Sequence, residues 1–265
     1  MTSPGTLALD DDELASATLS PQSRARAATL LDEHGFLILP RVFPAERLAA
    51  WQVAYAEQMK RRQTEREAAA FPVGNQRFLF AVHLESELAD PMLYACPLVL
   101  PIIRDLVGDD CILNSTSSVV ALPGANLQAL HKDHQHLYGD ERPTPAYALT
   151  LVVPLVPLDG TNGTTRLHDG SHRRPASQSP PLDPLVPLGG CLLTDYRLSH
   201  RGTPNRGPRM RPLLYLVYSR PWFLDERNFF ALPALRRPTT PIPAEAEALF
   251  ARADGHADLG VDTGA

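Results

Sequence analysis

The chain has 265 residues, 44% of them hydrophobic, and 25 basic against 30 acidic side chains give a formal charge of −5. That is enough for a sizeable core in one domain, and no stretch approaches the roughly eighteen uninterrupted apolar residues that cross a membrane. Met1-Thr2-Ser3-Pro4-Gly5 lacks the basic and apolar regions of a signal peptide, so a cytoplasmic protein, monomer or homodimer, is expected.

Residues 1–19 are acidic and polar and are expected to be flexible, ahead of a single domain over 20–253 and a flexible tail over 254–265. Ser20-Pro21 is a good helix start and Gly35 a good stop, giving a helix over about 22–34. Phe36-Leu37-Ile38-Leu39, closed by Pro40, suits a buried strand. A second helix is expected from Pro44 to Ala69, with Leu48, Trp51 and Tyr55 as its inward stripe. Its Lys60-Arg61-Arg62 and Arg66 are interleaved with Gln and Glu, which reads as a solvated face and argues against a nucleic-acid partner. Lys60 and Lys132 are the only lysines; the excess of Arg, Ala and Pro suggests a GC-rich bacterial genome. Phe78 to Val82 reads as a strand, with Arg77 just before it as a substrate-contact candidate whose bland reading is a surface arginine. Asp90-Pro91 and Gly108 bracket a helical stretch broken near Pro97 and Pro101.

After residue 110 the period changes. Ile112 to Leu122, Ala146 to Val153, Leu192-Leu193 and Leu213 to Val217 read as short strands separated by Gly/Pro-rich turns. The pattern predicts a mainly β fold with flanking helices, a jelly roll buttressed by its N-terminal helices. Pro233 to Pro243 reads as a connection to a short helix near Ala244–Ala253. Cys96, Cys111 and Cys191 are scattered in apolar runs and read as reduced and buried.

The chemistry concentrates in His131-Lys132-Asp133, His200 and Arg211. A His-x-Asp pair with a distant His is the ligand set of the facial triad, which holds Fe(II) and leaves three positions open. An arginine soon after the second His could grip a carboxylate with a bidentate fork. About 0.6 His-x-Asp pairs are expected by chance at this composition, and decoys exist at His256-Ala257-Asp258 and His83-Leu84-Glu85. Only the pair at 131 has a downstream partner in suitable context. Two other readings stay open: a zinc-dependent hydrolase using the same ligands, and a non-catalytic jelly-roll binding protein.

Gln128-Ala129-Leu130-His131-Lys132-Asp133 resembles the first metal motif of the phytanoyl-CoA dioxygenase family of Fe(II)/2-oxoglutarate oxygenases. Asn162-Gly163-Thr164-Thr165 and Asp169-Gly170-Ser171-His172 are similar to a further stretch of that family, with Asp169 where Pro is usual. Asp195 to Asn205, then Arg211, resembles the second metal motif. The four motifs occur in order across residues 28 to 230. The resemblance implies a double-stranded β-helix with His131, Asp133 and His200 as iron ligands. It implies Arg211 on the far carboxylate of 2-oxoglutarate, with Gln128 and Thr165 as further polar contacts. Arg206 and Arg209 are rivals for Arg211, which is preferred because it opens a strand. The implied reaction consumes dioxygen, decarboxylates 2-oxoglutarate to succinate and oxidises a substrate C–H bond. Asp133, in place of a small residue, favours hydroxylation, desaturation or cyclisation over halogenation.

Neighbouring residues carry two readings each. His134 and His136 follow the metal pair, and substrate-contact or supporting roles are favoured over ligation, since a fourth ligand would close a needed position. His172 reads as structural. Asn114, Thr116 and Ser118 share a strand face toward either pocket or solvent. Trp222 and Phe223 wall the substrate site or simply pack. The substrate is expected to be a small, fairly apolar metabolite of bacterial secondary metabolism, since no clustered basic surface for coenzyme A is visible.

Overall fold

The structure is a computed structural model describing residues 3–64, 70–139, 144–225, 228 and 235–253. Its first helix, α1 (Asp11–Ser16), starts where Asp10 and Glu13 cap each other's backbone. Glu13 also accepts from Ser20 N at 2.8 Å, tying α1 to the start of the next helix. Part of the 1–19 stretch expected to be flexible thus forms a helix bonded to its neighbours. Ile38 N donates to Gly5 O and Leu7 N to Ile38 O, at 2.8 and 2.9 Å, and Leu9 is buried. The acidic residues serve as caps, and the few leucines between them anchor the segment to the core.

Helix α2 (Pro21–His34) has Ser20 as its cap, Pro21 in its first turn and Gly35 in the left-handed region at φ 77°. Strand β1 (Phe36–Leu39) follows, then α3 (Ala45–Thr64), whose Leu48, Trp51 and Tyr55 are buried. The expected extension of α3 over 65–69 lies outside the described residues. Strands β2 (Phe71–Gly74) and β3 (Arg77–Ala81) precede short helices α4 (Pro91–Tyr94) and α5 (Leu100–Val107), separated around Pro97, while Pro101 sits in the first turn of α5 and does not break it. The strand-rich half comprises β4 (Ile112–Ala121), β5 (Ala148–Pro154), β6 (Thr165–His168), β7 (Pro181–Leu182), β8 (Cys191–Asp195), β9 (His200–Gly202) and β10 (Arg211–Ser219). The C-terminal segment Ala244–Phe250 is a 3-10 helix. The tail expected over 254–265 lies outside the described residues.

Two antiparallel sheets result, one in the order β1-β8-β5-β10-β4-β3-β2 and a smaller one in the order β7-β6-β9. At its β1-β8-β5 end the larger sheet is buried on both faces, which explains why β1 is apolar at every position. Leu37 and Leu39 point to the helical layer with Leu30, Leu31, Trp51 and Ile103. Phe36 and Ile38 point between the sheets with Val152, Leu192, Leu213 and Leu167 of β6. This is the jelly roll with an N-terminal helical buttress.

Thr116 and Ser118 face neither pocket nor solvent. Thr116 donates to Val82 O at 2.6 Å, and Ser118 bonds Tyr55 OH of α3 at 2.8 Å, so this face of β4 lies under the helices. The three cysteines are buried and free. Burial pushes the Cys96 and Cys111 thiols up to about 12 and about 11, which keeps them protonated and inert.

Candidate metal centre

Strand β9 opens at His200, and the segment carrying His131 bridges to it. His131 N donates to His200 O at 3.0 Å and His200 N to His131 O at 2.8 Å. This exchange brings the two imidazoles side by side, their centroids 4.4 Å apart and their planes tilted by 54°. Each Nδ1 sits beside a backbone carbonyl, Ala129 O at 2.9 Å and Leu198 O at 3.0 Å. Those bonds place the ring proton on Nδ1 and leave both Nε2 lone pairs free for a metal. Asp133 Oδ1 lies 3.6 Å from His200 Nε2, and one ligand atom from each of the three side chains lies within 4.8 Å of the other two. Burial, and then the neighbouring His200, depress the His131 pKa and keep its ring neutral.

Arg211 is 1% exposed. It donates to Thr164 O at 3.1 Å and Asn162 O at 3.3 Å, while its Nε is buried with no partner among the described residues. Burial first, and the charge of Arg77 second, pull its pKa down to about 10. Arg206 and Arg209, the sequence rivals, are exposed. The Asn162-Gly163 turn that supplies these carbonyls needs its glycine: φ is 77°, and a Cβ would sit 2.4 Å from Pro204 O.

Arg77 corrects the bland reading of a surface arginine, being wholly buried. It donates to Thr203 O at 2.9 Å and Asn126 O at 3.2 Å, while Nε and Nη1 have no partner among the described residues. Burial lowers its pKa as well. A Cβ on Gly202, two residues past His200, would come within 2.5 Å of the Arg77 guanidinium. The arginine layer thus lies directly against the strand that carries His200.

Gln128 spends its amide on the scaffold, accepting from Gly202 N at 3.0 Å and donating to Val73 O at 2.8 Å. Thr165 hydrogen-bonds the hydroxyl of Tyr215, which is half-buried against the inter-sheet core and feels the charges of Arg211, Asp133 and Arg77. His134 Nδ1 contacts Tyr147 OH at 2.9 Å, and its ring stands edge-on to Tyr147 and Phe223. Phe223 is buried in this aromatic group, whereas Trp222 beside it is 58% exposed, 6.0 Å from the Tyr147 ring. Leu130, Leu137, Tyr138 and Leu224 add to the exposed apolar side chains near these residues in the chain. Asn114 is turned aside, bonded to Ser219 of β10. His136 is buried. His172 holds the Asp32 carbonyl at 3.1 Å, the structural role read for it. Asp169, where the family pattern has Pro, meets His34 Nδ1 at 2.8 Å and fastens the loop to the end of α2. Of the decoys, His83 has its backbone paired with Gln58 of α3, and His256 lies outside the described residues.

Sequence reasoning missed Tyr147, Tyr215, Tyr196, Asp225 and Asn228. Tyr196 was within a recognised motif; the others carry no local signal, because strand pairing and chain reversal bring them to the site.

The model of the phytanoyl-CoA dioxygenase (PhyH) family matches residues 31–213. The chain belongs to this family. As a member it is an enzyme of the dioxygenase type. Among curated relatives, dioxygenase trt7 of Aspergillus terreus is 28% identical over 73% of this chain and 71% of its own. Dioxygenase af480 of Aspergillus fumigatus is 27% identical over 76% of this chain and 68% of its own. Among solved structures, the non-heme alpha-ketoglutarate-dependent carbocyclase SnoK from nogalamycin biosynthesis superposes with a TM-score of 0.60 at 19% identity, covering 85% of this chain and 94% of that one. HygX of Streptomyces hygroscopicus, solved with nickel, 2-oxoglutarate and hygromycin B, gives 0.58 at 18% identity over 79% and 90%. These likenesses establish the double-stranded β-helix fold.

Proposed function

We propose that this member of the family is a non-haem Fe(II)- and 2-oxoglutarate-dependent oxygenase. It hydroxylates, desaturates or cyclises a small, largely apolar molecule of secondary metabolism. The observation that carries the reading is a trio of metal ligands with both imidazole Nε2 atoms free, next to two buried arginines that lack a carboxylate partner among the described residues. Two neutral imidazoles and one carboxylate suit a divalent iron and offset part of its charge. Two desolvated guanidinium groups suit an anion, and the distal carboxylate of 2-oxoglutarate is the matching group. A zinc hydrolase or a non-catalytic binder would leave that arginine pair unexplained.

When bound, iron and 2-oxoglutarate would supply the oxidising chemistry with dioxygen. The chain's part is to bind, orient and exclude water. Arg211 and Arg77 hold the far carboxylate, with Thr165 and the scaffold bonds of Gln128 shaping the space between. His134, Trp222 and the aromatic group around Tyr147 form the substrate side, and Asn114 drops out as a contact. The exposed Leu130, Leu137, Tyr138 and Leu224 support an apolar substrate. We place the enzyme in the bacterial cytoplasm, as a monomer or homodimer acting without nucleic acid or membrane. The arginine-rich, acidic composition supports this, as does the lack, among the described residues, of a helix long and apolar enough to cross a membrane. The curated relatives named above are fungal, so the bacterial source rests on composition alone.

The test is spectroscopic. Anaerobic protein given Fe(II) and 2-oxoglutarate should develop a weak visible charge-transfer band, and His200→Ala should abolish it. A band that persists unchanged in His200→Ala overturns the ligand assignment.

A further inference from the structure

The three ligands are not held alike. His200 stands on β9, where strand pairing fixes its backbone. Asp133 lies in irregular chain: His131 makes an isolated bridge, and the next backbone bond is His134 N to Tyr196 O at 3.0 Å. Between those points, the carbonyl of Asp133 itself accepts a hydrogen bond from Asn228 Nδ2 at 2.9 Å.

Asn228 is held in turn. Its backbone N–H donates to Asp225 Oδ1 at 3.0 Å, and its side-chain amide also donates to Asp225 Oδ2 at 3.0 Å. Both amide hydrogens thus have acceptors, Asp225 and Asp133. The buried Asp225 carboxylate is further satisfied by the phenol of Tyr196, which is itself buried. The strap carrying these residues leaves β10 and is pinned at several points. Arg220 N bonds Tyr147 O at 2.9 Å, Phe223 packs in the aromatic group under His134, and Arg252 holds Phe223 O at 2.8 Å.

We propose that Asn228, aligned by Asp225 and Tyr196, is a positioning residue that sets the direction of the Asp133 carboxylate toward the metal. The inference rests on the metal-centre reading above and adds to it a support from outside the recognised motifs. The peptide plane that follows Asp133 is held at both ends, His134 N by Tyr196 O and Asp133 O by Asn228; without Asn228 it hinges on one bond, and a tilt there would shift the Asp133 carboxylate relative to the two imidazoles. Groups that orient metal ligands typically change metal affinity about 10- to 100-fold when removed.

The test is titration of the metal-free, full-length protein with Mn(II), following free Mn(II) by electron paramagnetic resonance alongside thermal melting. Wild type should bind one equivalent. Asn228→Ala should raise the Mn(II) dissociation constant about tenfold or more and change the spectrum of the bound ion, with a melting temperature close to wild type. Tyr196→Phe, which keeps the ring and removes only the hydroxyl, should weaken binding in the same direction by a smaller factor; it decides the matter if Asn228→Ala does not fold. Binding within twofold of wild type in the folded variants overturns the proposal. Failure of wild type itself to bind Mn(II) would instead overturn the metal-centre reading, and this proposal with it.

Discussion

Arg77 and Arg211 stand opposite the same residue: Arg77 pairs with Ala121 across β3 and β4, and Arg211 pairs with Ala121 across β4 and β10. Directly paired residues in antiparallel strands point to the same face. Both guanidinium groups therefore enter the space between the sheets, two strand spacings, or about 10 Å, apart at the backbone. Each is buried; burial lowers both pKa values, and the charge of Arg77 lowers that of Arg211 further. Two like charges out of water without a counterion cost stability in the free protein, and an anion between them would relieve that cost.

Replacing either arginine should therefore separate stability from binding. Arg211→Met should weaken 2-oxoglutarate binding roughly ten- to a hundredfold, the loss expected for a charge-assisted pair. Arg77→Met should weaken it in the same direction. Metal binding should survive in both. The free variants should melt at or above the wild-type temperature, whereas 2-oxoglutarate should raise the melting temperature of wild type more than theirs. Calorimetric titration and thermal shift measure the two effects. Loss on Arg209→Met with none on Arg211→Met would move the assignment by two residues.

Gly202 offers an approach to the same layer without removing a charge. A Cβ there would meet the Arg77 guanidinium at 2.5 Å, so Gly202→Ala has to push that group aside. The variant should fold and bind metal, since the obstruction is the far end of a side chain and not backbone. Its 2-oxoglutarate dissociation constant should rise about tenfold, in line with losing one charged hydrogen bond. An unchanged constant would show that Arg77 does not reach the co-substrate.

What the sequence disclosed and what it hid follow from distance along the chain. The candidate metal set was legible because His131 and Asp133 lie two residues apart, and because His200 and Arg211 fall in motifs with family spacing. The strands were legible from period and turns, and β1 from a run that is apolar because both its faces are covered. Arg77 read as a surface residue because nothing near it in sequence says that β3 lies beside β4 with Ala121 as its partner. Thr116 and Ser118 misled for a related reason: alternation gives two faces, but only the helix above them, through Tyr55, shows that neither face is wet. Asn228 was invisible, since its role depends on a chain reversal after β10.

The N-terminus supplies a pH prediction. Burial raises the Glu13 pKa, but hydrogen bonds from Ser20, Ser23 and Asp10 outweigh it and bring it from 4.5 to about 2. A carboxylate depressed on folding contributes stability above its unfolded pKa and loses it as pH falls through the folded one. Glu13→Ala should therefore be destabilised near neutrality by about 1–2 kcal/mol, the scale of a lost helix cap. The gap to wild type should close as pH falls from 4.5 toward 2. Denaturant melts across that range measure it, and a gap independent of pH would show that Glu13 acts through packing alone.

The carboxylate at Asp133 tests the reading of the centre as a whole. It lies 3.6 Å from His200 Nε2 and is the one anionic group of the ligand trio. With a metal bound, its charge would offset part of the metal's, and its oxygen would fill a position that a small residue would leave open. Asp133→Ala should bind iron more weakly and lose most substrate oxidation, with chloride serving at best as a partial replacement ligand. Succinate formation, followed with and without substrate in chloride-free and chloride buffers, is the measurement. The expected result is slow turnover uncoupled from substrate, with chloride restoring a fraction of iron binding. Near-normal, substrate-coupled turnover without chloride would mean that Asp133 is not a ligand. In that case the free Nε2 atoms of His131 and His200 would need a different third partner.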